Sequence, residues 1–308
     1  MYKELAKYLE KQKKTSMVIH VNPDGDAIGS AIALKMALKQ KNLHSEIYCL
    51  SKLPLVYNFL PGFNEIKQQT LPDKNEGGII TIDCCAPKQV GSDLKVNVNL
   101  DHHIGNSYFG EQNYVVLDAS ATGEIIFDII KYLQLEITEE IAECLYVSIS
   151  TDTGHFKYAN TTGKTFRICS ELVGAGVNPS KIANLLYEQE DFAAVQAIGR
   201  GLGNMQQAEE GRIIWSSIDG ALVMGAKSLI DVIREVKTCE VAVVFKKEAD
   251  NKTKVSLRSK SDFDVRLFAE QYGGGGHAKA AGITIEKSLQ DTETLITDAL
   301  IKKMNSDS

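Results

Sequence analysis

The first half of the chain alternates short apolar runs with amphipathic segments, and this alternation limits the fold more than any other feature. Met17–Val21 and Gly78–Asp83 are apolar runs typical of buried strands. Ala27–Gln40 and Thr122–Leu133 carry apolar side chains at helical spacing. Further strands are expected at 47–50 and 96–101, and a further helix at 138–150. Strands that alternate with helices predict an α/β domain, in which a parallel sheet is covered on both faces.

The pattern changes in the second half of the chain. Residues 166–207 are predicted to form a helical connector, because amphipathic segments there are separated by glycine and proline. Residues 208–308 combine strand-like runs with two helical segments and predict a smaller α+β domain. Within it, a helix over 264–272 leads into four consecutive glycines, which we expect to form a binding loop. The α/β domain is accordingly expected to span residues 1–165.

The composition excludes several classes of protein. The 308 residues carry a net charge of −6, which does not suit a protein that coats long nucleic acid. No apolar run approaches the roughly 20 residues that span a bilayer. The six cysteines form no CxxC pair, which argues against a disulfide framework and a zinc ribbon. A cytoplasmic protein with no membrane partner is expected.

Residue types that bind metals stand where the predicted strands and helices begin or end. They are His20, Asp24, Asp26, Asp83, Asp101, His102, His103 and Asp152. The carboxyl ends of parallel strands share one edge of a sheet, so these side chains are expected to converge there. Carboxylates and imidazoles suit Mn²⁺ or Mg²⁺, and several clustered acids would repel one another without such cations. The sequence therefore predicts a centre of divalent cations, in which a bridging carboxylate would serve two ions.

Each of these motifs has an ordinary structural interpretation when taken alone. An Asp-Gly-Asp sequence commonly forms a turn that caps a helix. Four glycines are compatible with a flexible linker. Cys84 and Cys85 are either packing residues or sites of oxidation, and His155 is either a support for the metal ligands or a packing residue. The conjunction of four ligand-bearing segments in one α/β pattern favours the metal centre over these alternatives.

With these motifs the chain resembles the DHH phosphoesterase superfamily, in particular its stand-alone NrnA-type members with a DHH-associated C-terminal domain. The resemblance rests on His20-x-x-x-Asp24-Gly-Asp26, Asp83, Asp101-His-His103, Thr151-Asp-Thr-Gly, Val255-Ser-Leu-Arg258 and Gly273-Gly-Gly-Gly-His277. These motifs extend over almost the whole chain. The resemblance implies an enzyme that hydrolyses phosphate esters with water activated by two divalent cations, Mn²⁺ being preferred over Mg²⁺.

The resemblance also implies roles for the individual residues. One cation is expected at His20, Asp24 and Asp83. The second is expected at Asp26, Asp83, His102 and Asp152, so that Asp83 bridges the two. His103 is expected to face the scissile phosphate as a donor or acid, while Asp101 orients a neighbouring ligand. In the second domain Arg258, the glycines Gly274, Gly275 and Gly276, and His277 are expected to bind the substrate.

The expected substrates are very short RNAs and adenosine 3′,5′-bisphosphate, as in the NrnA-type members. Cyclic di-AMP or its linear product pApA is the first alternative, followed by pyrophosphate or polyphosphate. A nucleotide sensor without catalysis is a further alternative, but intact ligands in all four motifs argue against it. The resemblance is compatible with a homodimer.

Overall fold

The computed structural model describes residues 2–72, 77–91, 94–218 and 229–306, except for the side chain of His277. The chain forms two compact units, Met1–Leu186 and Tyr187–Ser308. The predicted connector, residues 166–207, is divided between these two units. Within the described ranges, no helix is both long enough and apolar enough to cross a membrane.

The first unit is built from alternating strands and helices. Its elements are α1 (Lys3–Lys11), β1 (Lys14–Ile19), α2 (Gly25–Lys39), β2 (His44–Cys49), β3 (Lys67–Gln68), β4 (Gly78–Ile82), β5 (Val98–Asp101), β6 (Gln112–Val115), α3 (Thr122–Tyr132), α4 (Glu139–Asp152), α5 (Gly163–Gly174) and α6 (Pro179–Tyr187). The N–H and C=O groups of the buried strands need hydrogen-bond partners, and the helices between the strands cannot provide them. The strands therefore pair with one another in a sheet.

The six strands described in the first unit form one parallel sheet in the order β3-β2-β1-β4-β5-β6. Its central strands are buried on both faces; Met17, Ile80 and Ile82, for example, are completely inaccessible to solvent. The predicted parallel α/β fold is thus confirmed. The strand order reverses between β1 and β4, and the crevice at the carboxyl ends of such a pair of strands is where open α/β sheets bind ligands.

The helices α2 and α4 pack against each other at very short range. A Cβ atom at Gly29 of α2 would lie 2.3 Å from the carbonyl oxygen of Cys144 in α4, so only glycine permits this approach. At the end of the same contact, a Cβ at Gly25 would lie 2.6 Å from Oγ1 of Thr151. The start of α2 therefore lies against the end of α4, which brings Asp26 close to Asp152.

The second unit contains a mixed sheet and four helices among its described residues. Its elements are α7 (Phe192–Gly203), β7 (Gln206–Ala208), β8 (Ile213–Ile218), α8 (Leu229–Arg234), β9 (Val241–Ala249), β10 (Lys252–Ser259), α9 (Val265–Glu270), β11 (Gly275–His277), β12 (Ala280–Ile285) and α10 (Leu289–Ser306). The strand order is β11-β12-β10-β9-β8-β7, and β8–β9 is the parallel pair. The expected α+β organisation is confirmed.

Part of the glycine run 273–276 does not form the loop that the sequence predicted. Gly275 and Gly276 belong to β11, which pairs with β12, so the expectation of a loop is wrong for these two residues. The physical reason is the close approach of the strands. A Cβ at Gly276, whose φ is +146°, would lie 2.3 Å from the carbonyl oxygen of Ala280. Glycine therefore permits a tight hairpin here.

Candidate metal centre

Potential metal ligands gather at the carboxyl edge of the parallel sheet, around the point where the strand order reverses. His20 follows β1 and Asp83 follows β4, so these two residues flank the crevice. Asp24 and Asp26 lie at the start of α2, and Asp152 is the last residue of α4. Asp101 ends β5 and is followed by His102 and His103. The parallel sheet and the helix pair α2–α4 are both rigid. These side chains therefore converge without a long loop.

The first group of donors consists of His20, Asp24 and Asp83. Nε2 of His20 lies 3.6 Å from Oδ2 of Asp83 and 3.9 Å from Oδ1 of Asp24. Donor atoms about 2.1 Å from one octahedral cation are separated by roughly 3 to 4 Å. The spacing of this group therefore suits a shared divalent cation.

The second group of donors consists of Asp26, His102 and Asp152. Nε2 of His102 lies 3.4 Å from Oδ2 of Asp152, 3.6 Å from Oδ2 of Asp26 and 3.7 Å from Oδ1 of Asp83. Asp83 thus directs Oδ1 towards this group and Oδ2 towards His20. A carboxylate with one oxygen on each side has the geometry of a bridge between two cations.

Asp83 is held in an unusual backbone conformation. Its φ is +59°, in the left-handed region that non-glycine residues seldom occupy, while its N–H donates to the carbonyl oxygen of Leu100. Its side chain is 2% exposed. Burial acts against the negative charge, but the neighbouring histidines outweigh burial and hold the pKa of Asp83 well below its usual range. Asp83 is therefore a buried carboxylate at the meeting point of both groups.

Each of the three histidines is oriented by an oxygen acceptor at Nδ1. Nδ1 of His20 lies 2.9 Å from the carbonyl oxygen of Val21, and Nδ1 of His102 lies 3.2 Å from that of Ala119. A carbonyl oxygen only accepts, so Nδ1 carries a hydrogen in both rings, and Nε2 is the nitrogen that would bind a cation after losing its own proton. In His103 the acceptor is Oδ1 of Asp101, at 2.7 Å from Nδ1.

Asp26 is fixed by four donors that the sequence analysis did not identify. Its Oδ1 accepts hydrogen bonds from the hydroxyl groups of Ser30 and Ser148 and from the N–H of Gly123. Its Oδ2 accepts from the N–H of Thr122 at 2.7 Å. The Thr122 hydroxyl also donates to Oδ1 of Asp83, at 3.0 Å. The start of α3 therefore holds ligands of both groups.

Three observations indicate that these residues fit a divalent cation. Nε2 of His102 is buried and has no hydrogen-bond partner among the described residues, although three carboxylates surround it. Burial and the charge of Asp83 raise the pKa of Asp26 to about 7. Burial and the charge of Asp26 raise the pKa of Asp152 to about 9. Because these acids disfavour each other's charge, a cation among them would stabilise them all.

Cys84 and His155, for which the sequence left two interpretations open, lie beside this centre. Cys84 is completely buried, and burial raises the pKa of its thiol well above the usual value. This supports packing rather than reactivity for Cys84. His155 belongs to a run of three left-handed residues, Gly154 to Phe156, directly after Thr153. Its Nδ1 lies 3.2 Å from the hydroxyl oxygen of Ser150, so His155 contacts the last turns of α4.

Of the substrate-binding residues expected in the second unit, Arg258 lies on β10 and Gly275–His277 form β11, with β12 between these two strands. Arg258 of β10 is opposite Ala280 of β12, and Ala280 is opposite His277 of β11. The strand pairing thus places the backbone of Arg258 and His277 at the same level of the sheet. The side chain of His277 lies outside the described part of the structure. Nη1 of Arg258 donates to the carbonyl oxygen of Leu257 at 3.1 Å.

Comparisons with known proteins agree with the division into two units. The family described as "DHH family, N-terminal domain" matches residues 14–149, and the family described as "DHHA1 domain" matches residues 213–306. The protein named bifunctional oligoribonuclease and PAP phosphatase NrnA from Thermus thermophilus is 32% identical over 271 residues, which is 87% of this chain and 82% of that protein. The Bacillus subtilis protein of the same name is 27% identical over 298 residues, covering 90% of this chain and 92% of that protein.

A solved structure has the same fold over nearly the whole chain. It is an exopolyphosphatase-related protein from Bacteroides fragilis, with a TM-score of 0.88 and 24% sequence identity. The match covers 97% of this chain and 95% of that protein. At this identity the similarity establishes the fold and leaves the reaction to be argued from the site.

Proposed function

This chain belongs to the DHH family and is a hydrolase, and we propose that it hydrolyses short oligoribonucleotides and the 3′-phosphate of adenosine 3′,5′-bisphosphate. The family matches confirm the resemblance inferred from the motifs. The observation that carries the proposal is the pair of donor groups His20–Asp24–Asp83 and Asp26–His102–Asp152, with Asp83 in contact with both; a third possible group, Asp83–His102–His103, overlaps them. The substrates are inferred from the names of the Thermus thermophilus and Bacillus subtilis relatives, each of which matches most of this chain.

The metal ligands we propose are divided between two cations. His20, Asp24 and Asp83 would hold the first, and Asp26, Asp83, His102 and Asp152 the second. Oxygen and imidazole donors favour Mn²⁺ or Mg²⁺, and we propose Mn²⁺ as the preferred ion. When bound, two such cations neutralise phosphate charge and lower the pKa of water. The carboxylates supply the negative charge that would hold the cations in place.

His103 is proposed to act on the phosphate ester itself. Asp101 accepts the Nδ1 hydrogen of His103, so a proton given to the substrate would come from Nε2. Once Nε2 is protonated as well, the resulting imidazolium can donate that proton to the oxygen of the departing alcohol. His103 is 25% exposed, whereas Asp101 is completely buried, so only the histidine is accessible to a substrate.

The second unit is proposed to bind the nucleotide. Arg258 provides a planar guanidinium that pairs with a phosphate through two hydrogen bonds. Gly274 precedes β11, Gly275 and Gly276 belong to it, and His277 follows on the same strand, which β12 separates from Arg258; we propose that the backbone of these glycines and His277 contact the same nucleotide. We retain the assignment of residues 1–165 to metal binding and catalysis, 208–308 to substrate binding and 166–207 to the connection between them.

A panel of substrates tests the proposed reaction. The protein would be incubated with Mn²⁺ and, separately, a five-nucleotide RNA, adenosine 3′,5′-bisphosphate, pApA, cyclic di-AMP and pyrophosphate. We expect turnover of the first three, little of pyrophosphate, and none in EDTA. Dominant hydrolysis of cyclic di-AMP or pyrophosphate would contradict the proposed substrates. A complete lack of turnover would contradict the assignment of an enzyme.

Arg258→Ala is expected to weaken substrate binding rather than the chemical step. Loss of a bidentate phosphate contact should raise KM by about tenfold or more and change kcat less. Arg258→Lys keeps the charge but not the planar fork, so its KM should be intermediate. Arg266→Ala is the matched control, because Arg266 is an exposed arginine of the same unit that pairs with Glu270. An unchanged KM in Arg258→Ala would refute the phosphate contact.

A further inference from the structure

His103 is attached to a buried chain of polar side chains. Asp101, which is completely buried, uses Oδ1 for Nδ1 of His103. Its second oxygen, Oδ2, accepts a hydrogen bond of 2.5 Å from Nδ2 of Asn106. Both oxygens of this carboxylate are thus engaged by a defined donor. Asn106 belongs to none of the motifs from which the metal centre was predicted.

The orientation of the Asn106 amide is determined by its neighbours. Its Oδ1 accepts from the backbone N–H of Tyr108 at 2.6 Å, and an N–H can only donate. The opposite end of the amide must therefore be Nδ2, which faces Asp101 and also Oδ1 of Asn99 at 2.8 Å. Asn99 in turn donates to the hydroxyl group of Thr81 at 2.9 Å. Asn106 is 7% exposed, so water cannot readily replace these bonds.

These contacts give Asn106 control over His103 through Asp101. Without the amide donor, Oδ2 of Asp101 would be a buried carboxylate oxygen without a hydrogen bond, which is unfavourable. The Asp101 carboxylate would then rotate, and Oδ1 would no longer be held opposite Nδ1 of His103. The hydrogen on Nδ1 of His103 depends on that acceptor, so the tautomer and the direction of Nε2 depend on it as well.

We propose that Asn106 is a positioning residue for the hydrolysis, which acts by holding Asp101 so that His103 keeps its hydrogen on Nδ1. The kinetic part of this inference rests on the proposed phosphoesterase function, whereas the structural part does not. Asn106 itself does not touch the substrate, because its side chain is buried and faces Asp101 and Asn99.

The kinetic test compares Asn106→Ala with a matched asparagine. Loss of a residue that supports an active-site histidine is expected to lower kcat by about 10- to 100-fold, with KM changed less than about twofold. Asn97→Ala is the control, since Asn97 likewise donates to a carboxylate, that of Glu111, and accepts from a backbone N–H, that of Ile79, but none of its described bonds reaches Asp101. It should retain kcat. An equal loss of kcat in both variants would overturn the inference.

A double-mutant cycle separates positioning from general stability. If Asn106 acts through Asp101, adding Asn106→Ala to Asp101→Asn should lower kcat no further. Multiplicative losses of kcat would contradict an action through Asp101. Asn106→Asp serves as a second variant in case the alanine variant fails to fold. It keeps the shape of the side chain and replaces the amide donor with a carboxylate oxygen, so kcat should fall here too.

Nuclear magnetic resonance of the ring nitrogens provides a measurement that needs no turnover. The chain has six histidines, so a ¹⁵N-histidine-labelled sample with Mg²⁺ gives an assignable spectrum. In the neutral imidazole of the native protein the hydrogen of His103 should reside on Nδ1, and in Asn106→Ala or Asn106→Asp it should be shared with Nε2. An unchanged His103 spectrum in both variants would refute the inference. If the native protein lacked all phosphoesterase activity, the proposed function would fail while this spectrum still decided the positioning role.

Discussion

At the scale of single residues, the metal centre depends on side chains that hold other side chains. Thr122 is the clearest example, because its hydroxyl donates to Asp83 and its backbone N–H donates to Asp26. Buried carboxylates need such donors, since each oxygen without a partner is unfavourable. These donors therefore help to hold the ligands in their positions.

Thr122→Val is expected to weaken metal binding without changing the fold. Valine keeps the shape of threonine and the N–H to Asp26, but it removes the hydroxyl bond to Oδ1 of Asp83. Loss of one such support should lower the affinity for Mn²⁺ by about 10-fold or more, as measured by calorimetric titration. Thr70→Val, at an exposed threonine of the same unit, should leave the affinity unchanged. Equal affinities in the two variants would contradict the role of Thr122.

The sequence alone could identify the ligand-type residues but not their supports. Asp83 and His102 are recognisable because carboxylates and imidazoles stand where strands end. Thr122, Ser148 and Asn106 are ordinary polar residues whose partners are distant in the chain; Ser148, for example, bonds Asp26. Their roles follow from packing, which no local pattern encodes.

At the scale of secondary-structure elements, the pair α2 and α4 carries the acids of the second donor group. The glycines that allow the two helices to touch thus serve the site as well as the fold. Close contact between the start of α2 and the end of α4 sets the distance between Asp26 and Asp152. Any displacement of these helices should therefore affect stability and metal binding together.

Gly29→Ala is expected to destabilise the protein. The added Cβ would lie 2.3 Å from a backbone oxygen of α4, so one helix must shift. Overpacking of this kind costs about 1 to 3 kcal/mol, visible as a lower urea midpoint. Gly174→Ala is the control, because a Cβ there meets open space at the end of α5. It should be neutral or stabilising by about 0.5 kcal/mol; equal midpoints for the two variants would contradict the account.

The alternating pattern predicted the central strands and the long helices, but not every element. The edge strand β6, Gln112–Val115, was missed because it is largely polar and partly exposed, so it lacks an apolar run. The helix α1 was missed because its lysines conceal a narrow apolar face formed by Leu5 and Leu9. The strand order could not be predicted from the sequence either, since it depends on contacts between distant segments.

At the scale of the whole molecule, protons and cations compete for the same buried acids. Burial and neighbouring acids give Asp26 a pKa of about 7 and Asp152 a pKa of about 9 in the folded chain. In an unfolded chain an aspartate has a pKa of about 3.9. Protonation therefore stabilises the metal-free fold fully below about pH 4, and this contribution is lost as the pH rises through 7 and 9.

The stabilisation that Mg²⁺ provides should consequently increase with pH. A cation must displace the protons of Asp26 and Asp152, and fewer protons remain to be displaced at higher pH. His20 acts in the same direction, since burial opposes its charge but Asp83 raises its pKa to about 9. We expect the rise in Tm on adding Mg²⁺ to be larger at pH 8.5 than at pH 6. A rise in Tm that is equal at the two pH values, or smaller at pH 8.5, would contradict this competition between protons and cations.

Two donor groups are proposed to share the carboxylate of Asp83. The direct test is the number of Mn²⁺ ions retained after equilibrium dialysis, measured by mass spectrometry on the native chain, Asp83→Asn and the exposed control Asp118→Asn. The account predicts about two ions in the native chain and the control. For Asp83→Asn it predicts fewer than about one ion, with kcat lowered on the order of 10³-fold. Two ions retained by Asp83→Asn, or only one by the native chain, would contradict it.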